Sequence, residues 1–282
     1  MASEVEKVRK KAEIIEKVAN KFPGYNKVFE NVSEKLNVSY GKDKDNILDI
    51  YYPKDKKERK DIVILYIHGG GWISFDKDFY KRTLLYLASN GYIVFNINYH
   101  LAPEYKINTM EKDILEAIKY AIKKSKKKKI FIMGDSAGAH LASLVTNKLV
   151  IDCYKDNLKD YIVGNGLFYG VYDLKNIEKT KFHDIDTYIK SITKSDRERE
   201  LYSPITYLSN KIPKVFISSG EIDKLYLESK KYYKLLEKHN IKVEKLFFKK
   251  ALISGRHSFL NYYNSKACKK SLEKLLEFLN SI

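Results

Sequence analysis

The chain has 282 residues and a formal net charge of +17, from 53 basic and 36 acidic side chains. This length suits one large domain, which buries roughly three quarters of the surface of its unfolded chain. Only six basic residues are arginine, whose planar guanidinium group reads bases and phosphates, so the charge does not indicate a nucleic-acid partner. No apolar run reaches the roughly 18 residues of a transmembrane helix, so we expect no stable membrane insertion.

The N-terminus and the two cysteines bear on the cellular compartment. The first six residues are charged and have a helical pattern, which differs from that of a signal peptide. Cys153 and Cys268 lack the paired spacing of metal-binding cysteines, and so few cysteines are typical of a reducing compartment. We therefore expect a cytoplasmic protein with no metal site and no cofactor.

Strand and helix patterns alternate along the chain. The strand patterns lie at 38–40, 47–52, 62–67, 92–96, 130–133, 161–168, 215–219 and 243–248. The helix patterns lie at about 80–90, 110–123, 140–145, 226–239 and 265–280. This alternation predicts an α/β fold with a mostly parallel, twisted sheet and helices on both faces. The first two strands predict an antiparallel pair at one edge.

Two segments lie outside this alternation. The first is a helix pattern within residues 1–36 that ends at Pro23-Gly24. Its apolar stripe consists of Val5, Val8, Ala12, Ile15, Ala19 and Phe22. The second is a charged, tyrosine-bearing insertion at about 171–210, within a main domain at 37–282. The stripe requires an apolar partner, and the sheet or a second subunit of a homo-oligomer are two alternatives.

The most informative motif is at residues 134–138, which read Gly-Asp-Ser-Ala-Gly. It follows the strand pattern at 130–133 and precedes the helix pattern at 140–145. A G-x-S-x-G sequence in that position predicts a nucleophile elbow, a tight turn that exposes the serine hydroxyl. We predict that Ser136 is a catalytic nucleophile, and the alternative is an ordinary strand-to-helix turn.

A nucleophilic serine needs a base, and the base needs an acid to orient it, in the chain order serine, acid, histidine. His257 lies in a loop between the last strand pattern and the last helix pattern, where the base is expected. The acid should follow the strand pattern at 215–219, and we choose Asp223. Glu221 and, more distantly, Asp173 are alternatives, and Asp223 has a second interpretation as a helix N-cap.

A glycine-rich loop supplies the second signal. The strand pattern at 62–67 runs into residues 68–72, which read His-Gly-Gly-Gly-Trp. Three consecutive glycines cost backbone entropy, so they indicate a close approach of the backbone to a ligand. Their N–H groups, with that of Ala137, predict an oxyanion hole for a tetrahedral intermediate. A phosphate loop is excluded because neither a following Lys-Ser/Thr pair nor a G-x-G-x-x-G sequence is present.

These motifs make the chain resemble the hormone-sensitive-lipase-like branch of the α/β-hydrolases, which includes acetyl esterases and carboxylesterases. Further matching segments are 49–53, 99–104, 220–223 and 257–259. The resemblance implies an α/β-hydrolase fold, Gly70 and Gly71 as oxyanion donors, and Ser136, Asp223 and His257 as a catalytic triad. It also implies that the two additional segments form a small helical cap over the active site.

The chain departs from the family pattern at one position of the 99–104 segment. Where the family often has Tyr-Arg-Leu-Ala-Pro-Glu, this chain has His100, a change that bears on loop anchoring more than on chemistry. The elbow also resembles that of kynurenine formamidases, which cleave an N-formyl amide. Those enzymes more often carry histidine before the serine, so Asp135 favours ester hydrolysis.

We therefore predict a serine hydrolase that cleaves short-chain carboxylic esters through an acyl-enzyme, with a small-molecule ester as its partner. Trp72 and Phe75, beside the glycine loop, are candidate walls of a small acyl pocket. An amidase of the arylformamidase type is the alternative on the same triad. A catalytically inactive binding protein is the third hypothesis.

Overall fold

The protein is described by a computed structural model over residues 2–19, 29–154, 156–177 and 185–282. Phe22 and Pro23-Gly24 of the predicted N-terminal helix lie outside the described residues, as does part of the 171–210 insertion. Within the described residues, no helix is long and apolar enough to cross a membrane.

Eight strands form one sheet in the order β1-β2-β4-β3-β5-β6-β7-β8. They are β1 Val32–Ser39, β2 Ile47–Pro53, β3 Ile62–Ile67, β4 Ile93–Ile97, β5 Lys129–Asp135, β6 Ile162–Phe168, β7 Lys214–Gly220 and β8 Val243–Phe248. β2 pairs antiparallel with β1 and β4, and every other pairing is parallel. The predicted α/β fold and its antiparallel edge pair are thus confirmed.

Helices cover both faces of this sheet. The helices in the described ranges are α1 Ala2–Ala19, α2 Lys81–Ser89, α3 Ile107–Ser125, α4 Ala137–Val150, α5 Ile185–Ile192, α6 Asp196–Leu201, α7 Tyr226–Lys238 and α8 Lys266–Asn280. Of these, α2, α3, α4, α7 and α8 pack on the strands. On β3, Leu65 belongs to the core cluster shared with α3 and α4, whereas Ile64 belongs to the cluster shared with α2 and α8. Because both faces are covered, this strand has an uninterrupted apolar sequence.

The first strand is longer than the sequence pattern indicates. β1 begins at Val32, whereas the pattern predicts a strand only at 38–40. Most of its side chains are exposed, because it is an edge strand that contributes little to the core. The hydrophobic pattern of the sequence therefore detects only the C-terminal end of β1.

Candidate active site

Ser136 occupies a sharp turn between β5 and α4. Its backbone has φ 49° and ψ −117°, a conformation that L-residues rarely adopt. The turn is held by the N–H of Ser136, which donates to the carbonyl of Phe168 at 2.8 Å. A Cβ at Gly138 would lie 2.0 Å from the carbonyl oxygen of Ile67, and one at Gly134 would lie 2.5 Å from the backbone of Gly138. The small residues of the motif are therefore required by close backbone approach.

The structure brings Ser136, His257 and Asp223 into one hydrogen-bonded chain. Nε2 of His257 lies 3.1 Å from Oγ of Ser136, and Nδ1 lies 2.9 and 3.1 Å from the two carboxylate oxygens of Asp223. Asp223 also accepts a bond from the N–H of Leu225 at 2.8 Å, which fixes the carboxylate just before α7. These are the contacts that a nucleophile, a base and an orienting acid require.

The electrostatic environment of His257 favours its protonated form. Burial by itself lowers the pKa of this histidine, but the charge and hydrogen bond of Asp223 act in the opposite sense, and Asp135 adds to them. The net result is a pKa above the ordinary value. In the folded protein His257 therefore holds a proton more readily than a free histidine does.

The glycine loop follows β3 and lies against the nucleophile turn. Gly70 and Gly71 have φ of 114° and 61°, a region open to glycine at little cost. The backbone N–H groups of Gly70, Gly71 and Ala137 donate no hydrogen bond to any residue that the structure describes. All three residues line the cavity that contains Ser136, so their N–H groups are available to a ligand there.

The structure reveals a role for Asp135 that its place in the motif does not show. Its fully buried carboxylate accepts bonds from the hydroxyls of Tyr66 and Tyr80, at 2.7 and 2.6 Å, and from the N–H of Gly69 at 2.8 Å. It therefore connects the nucleophile turn to the glycine loop. Burial raises the pKa of Asp135 from 3.8 to about 6, although the donated hydrogen bonds oppose the shift.

The alternative acids Glu221 and Asp173 lie outside this hydrogen-bonded chain, and so does His140 in the first turn of α4. Glu221 accepts a bond from the N–H of Lys250 at 2.9 Å, and Asp173 pairs with Lys231. His140 is buried: its Nδ1 accepts the indole N–H of Trp72 at 3.2 Å and its Nε2 lies 2.7 Å from the carbonyl of Tyr202. Such contacts fix His140 in the core, where its burial lowers its pKa to about 4.

A cavity of about 440 Å³ contains Ser136 and His257 in its wall. Its apolar and aromatic lining includes Val8, Ala12, Ile15, Trp72, Phe75, Phe79, Val171, Ile185, Tyr188 and Leu225. α1 and α5 thus wall this cavity from outside the sheet. A Cβ at Gly71 would lie 2.4 Å from the ring of Tyr188, so α5 lies directly against the glycine loop.

Arg9 attaches α1 to the segments that follow the glycine loop. Its guanidinium group donates to the carbonyls of Ile73 and Ala102 at 2.9 and 2.8 Å. It also makes two bonds with the Glu104 carboxylate, at 2.9 and 2.6 Å. Because an arginine fork of this kind fixes orientation as well as distance, it sets the position of the α1 side chains that line the cavity.

The chain is similar to several known proteins. Kynurenine formamidase of Danio rerio is 29% identical to the chain over 217 residues, which cover 74% of this chain and 70% of that protein. An inhibited esterase B from Lactobacillus rhamnosis has a TM-score of 0.87 at 20% identity, covering 99% of this chain and 96% of that one. A hyperthermophilic esterase from Pyrobaculum calidifontis has a TM-score of 0.80 at 22% identity, covering 98% and 91%.

At these identities the solved structures show a shared fold. The family comparison goes further, because the family model BD-FAE matches residues 48–236 of this chain. That match covers about two thirds of the sequence and includes the glycine loop, the nucleophile turn and Asp223. The chain therefore belongs to the BD-FAE family, with an α/β-hydrolase fold.

Proposed function

We propose that the protein is a serine hydrolase that cleaves short-chain carboxylic esters through an acyl-enzyme. The observation that carries this proposal is the hydrogen-bonded chain Ser136–His257–Asp223, which opens into a cavity shared with the donor groups of the glycine loop. The esterases with the same fold support the reaction class.

In the proposed acylation step, Oγ of Ser136 attacks the ester carbonyl carbon while Nε2 of His257 takes the hydroxyl proton. Asp223 holds the imidazole in the required tautomer and stabilises its positive charge. The carbonyl oxygen becomes an anion that accepts hydrogen bonds from Gly70, Gly71 and Ala137. Losing one such donor typically costs about 3 to 4 kcal/mol of transition-state stabilisation.

The intermediate then collapses with cleavage of the bond to the alcohol oxygen. His257 returns its proton to that oxygen, and the alcohol leaves. A water molecule next attacks the acyl-enzyme, His257 takes a proton from it, and the same donors stabilise the second oxyanion. Collapse returns the proton to Ser136 and releases the carboxylic acid, so the enzyme ends in its starting state.

The proposed preference for short acyl chains rests on two aromatic side chains that line the cavity beside the glycine loop, Trp72 and Phe75. Trp72 is 1% exposed, and Phe75 stacks on Phe79 with ring centroids 4.1 Å apart, so these walls are held by their neighbours. Initial rates on p-nitrophenyl acetate, butyrate, octanoate and palmitate test the preference. We expect the short esters to react fastest, and Phe75→Ala and Trp72→Ala to shift the optimum towards longer chains.

Dependence on Ser136 is the control for every one of these rates. Ser136→Ala should abolish turnover and labelling by a fluorophosphonate without unfolding the protein. Activity retained in this variant would refute the mechanism. A folded wild-type protein that neither turns over esters nor reacts with the fluorophosphonate would instead support an inactive binding protein.

An arylformamidase is the second candidate, and two observations favour it. The kynurenine formamidase of Danio rerio is a relative over most of this chain. In addition, Lys11 and Arg256 line the cavity, where their positive charges suit a substrate that carries a carboxylate. A neutral alkyl ester makes no use of these charges.

Direct assay of N-formylkynurenine beside p-nitrophenyl butyrate separates the two candidates. If formamide cleavage is the main activity, Arg256→Ala should lower kcat/KM for N-formylkynurenine about tenfold and leave the neutral ester unaffected. If N-formylkynurenine is not cleaved by an enzyme that is active on esters, the formamidase candidate is wrong.

A further inference from the structure

Two aspartates of the hairpin that joins β1 to β2 meet a histidine from a distant part of the sequence. Asp43 and Asp45 lie in the hairpin loop, and His100 lies after β4. One oxygen from each aspartate and one ring nitrogen of His100 all lie within 4.8 Å of one another. We propose that these three residues bind a divalent transition-metal cation, such as Zn²⁺, at a site separate from Ser136 and its partners.

The other nitrogen of His100 prepares the ring for this role. Nδ1 lies 2.8 Å from Oδ2 of Asp113 on α3, and the same oxygen accepts the backbone N–H of His100 at 2.9 Å. Asn46 donates to the second oxygen of Asp113 at 2.9 Å. Because a carboxylate accepts hydrogen bonds, Nδ1 carries a proton. A histidine that donates one N–H to a carboxylate is the usual arrangement at metal sites.

The nitrogen that faces the two aspartates is buried without a hydrogen bond. His100 is only 5% exposed, and no residue in the described parts of the chain forms a hydrogen bond with its Nε2. The neighbouring oxygens are Oδ1 of Asp43 at 3.4 Å and Oδ2 of Asp45 at 4.0 Å. If Nε2 carries no proton, its lone pair is repelled by the two carboxylates, and a cation between the three atoms turns this repulsion into attraction.

The distances suit a small cation. Tetrahedral zinc, with bonds of about 2.1 Å, places neighbouring ligand atoms about 3.4 Å apart. The separation of Nε2 from Asp43 already has this value. The Asp45 oxygen must move closer to Nε2 by roughly 0.6 Å and lies within 4.8 Å of the Asp43 oxygen; its side chain is 46% exposed in a loop, so rotation can bring it nearer to both atoms. Water can occupy the fourth position.

The donor set indicates both the cation and its effect. One imidazole with two carboxylates suits Zn²⁺ better than the all-oxygen cations Ca²⁺ and Mg²⁺. A cation here would join the hairpin to the segment at His100 and, through Asp113, to α3. None of these residues has a role in the proposed reaction, so binding should change stability rather than rate.

A proton on Nε2 is the competing explanation. An imidazolium would also place positive charge opposite Asp43 and Asp45, at 3.4 and 4.0 Å, and it would need no metal. The two explanations predict different zinc affinities, because a proton on Nε2 occupies the lone pair that would bind zinc. Zinc titration of the whole chain therefore distinguishes them.

Isothermal titration of the chelator-treated protein with ZnCl₂ is the first test. We expect one strong site per chain in the wild type, and affinity at least tenfold weaker in Asp43→Asn and in Asp45→Asn. Both carboxylates are about half exposed, so these variants should fold, which circular dichroism checks. Asp61→Asn is the matched control and should bind as the wild type does. Its side chain is 84% exposed, and it precedes the start of β3, whereas His100 follows the end of the parallel strand β4. No strong site in the wild type, or one that survives in both variants, would overturn the proposal.

Thermal unfolding with and without zinc adds a second readout. At a zinc concentration 100-fold above Kd, Tm should rise by about 5 °C in the wild type and in Asp61→Asn, with no rise in the two cluster variants. Without zinc, all four proteins should cleave p-nitrophenyl butyrate equally. Zinc that inhibits the wild type without raising Tm would place the cation at His257 and refute the site.

Discussion

Asp135 allows a sharp test of how the nucleophile turn and the glycine loop are held together. Asp135→Ala removes the acceptor of three buried hydrogen bonds, from Tyr66, Tyr80 and Gly69. Asp135→Asn keeps one oxygen as an acceptor, and its amide can donate to a tyrosine oxygen. The two variants therefore separate the hydrogen bonds of this side chain from its charge.

The magnitudes follow from these contacts. Each buried donor left without an acceptor costs about 1 to 3 kcal/mol, so Asp135→Ala loses about 3 to 9 kcal/mol in hydrogen bonding. Against this, a carboxyl whose pKa lies at about 6 instead of 3.8 costs about 3 kcal/mol when it is ionised, and both variants remove that cost. We expect Asp135→Ala to lower the free energy of unfolding by about 3 kcal/mol at neutral pH. Asp135→Asn should leave it unchanged or raise it.

The dependence on pH has a definite sign. The folded state binds the Asp135 proton more tightly than the unfolded state does, because its pKa is raised to about 6. The contribution of Asp135 to the free energy of unfolding is therefore largest at low pH. It falls as the pH rises towards 6 and is constant above that. Between pH 4.5 and pH 7.5, the free energy of unfolding of the wild type should fall by about 2 kcal/mol relative to that of Asp135→Asn.

Urea unfolding of the three proteins at these two pH values measures both quantities. The difference between the wild type and Asp135→Asn cancels the titration of the other carboxyl groups. If Asp135→Asn is as unstable as Asp135→Ala, the site requires an ionised carboxylate and the reasoning from burial is wrong. A difference that is the same at both pH values would also refute it.

Three further predictions concern the proposed catalytic machinery. Because the pKa of His257 is raised, the acidic limb of the kcat/KM profile should have a midpoint above the ordinary pKa of histidine. Asp223→Asn should move that midpoint to lower pH and lower kcat about 10⁴-fold. Identical pH–rate profiles of the two proteins would contradict this prediction. Arg9→Leu should lower the free energy of unfolding by about 1.5 to 3 kcal/mol. It should also release α1 from the cavity and so raise the ratio of the rates on octanoate and butyrate esters. An unchanged ratio would show that α1 is held by other contacts. Gly71→Ala should lower kcat about 10² to 10³-fold, since a Cβ would strike Tyr188 and displace the loop. Steady-state rates near those of the wild type would show that the ring of Tyr188 moves aside and that the loop keeps its position.

The sequence predicts those parts of the site that depend on local backbone geometry. The turn at Ser136 requires small neighbours because a Cβ at Gly138 would meet the backbone of Ile67 at 2.0 Å, and that requirement is visible as a motif. The glycine loop is visible for a similar reason, since positive φ at Gly70 and Gly71 restricts the residue type. Chain order then selects His257 and Asp223, because the carboxyl ends of parallel strands lie at one edge of a sheet.

Features that depend on contacts between distant segments could not be read in the same way. Asp135 is visible within its motif, but its donors Tyr66 and Tyr80 come from β3 and from the turn before α2, and only the register of the sheet brings them together. The same holds for Arg9, whose partner Glu104 is 95 residues away.

The chain by itself thus determined the fold class, the nucleophile turn and the glycine loop, because each imposes a residue type or a periodicity on a short segment. Tertiary structure alone decided which buried groups share hydrogen bonds. It placed the indole of Trp72 against His140, and it brought His100 next to Asp43. The physical reason is that a polar side chain can satisfy its hydrogen bonds with many partners, and the packing of helices on the sheet selects among them.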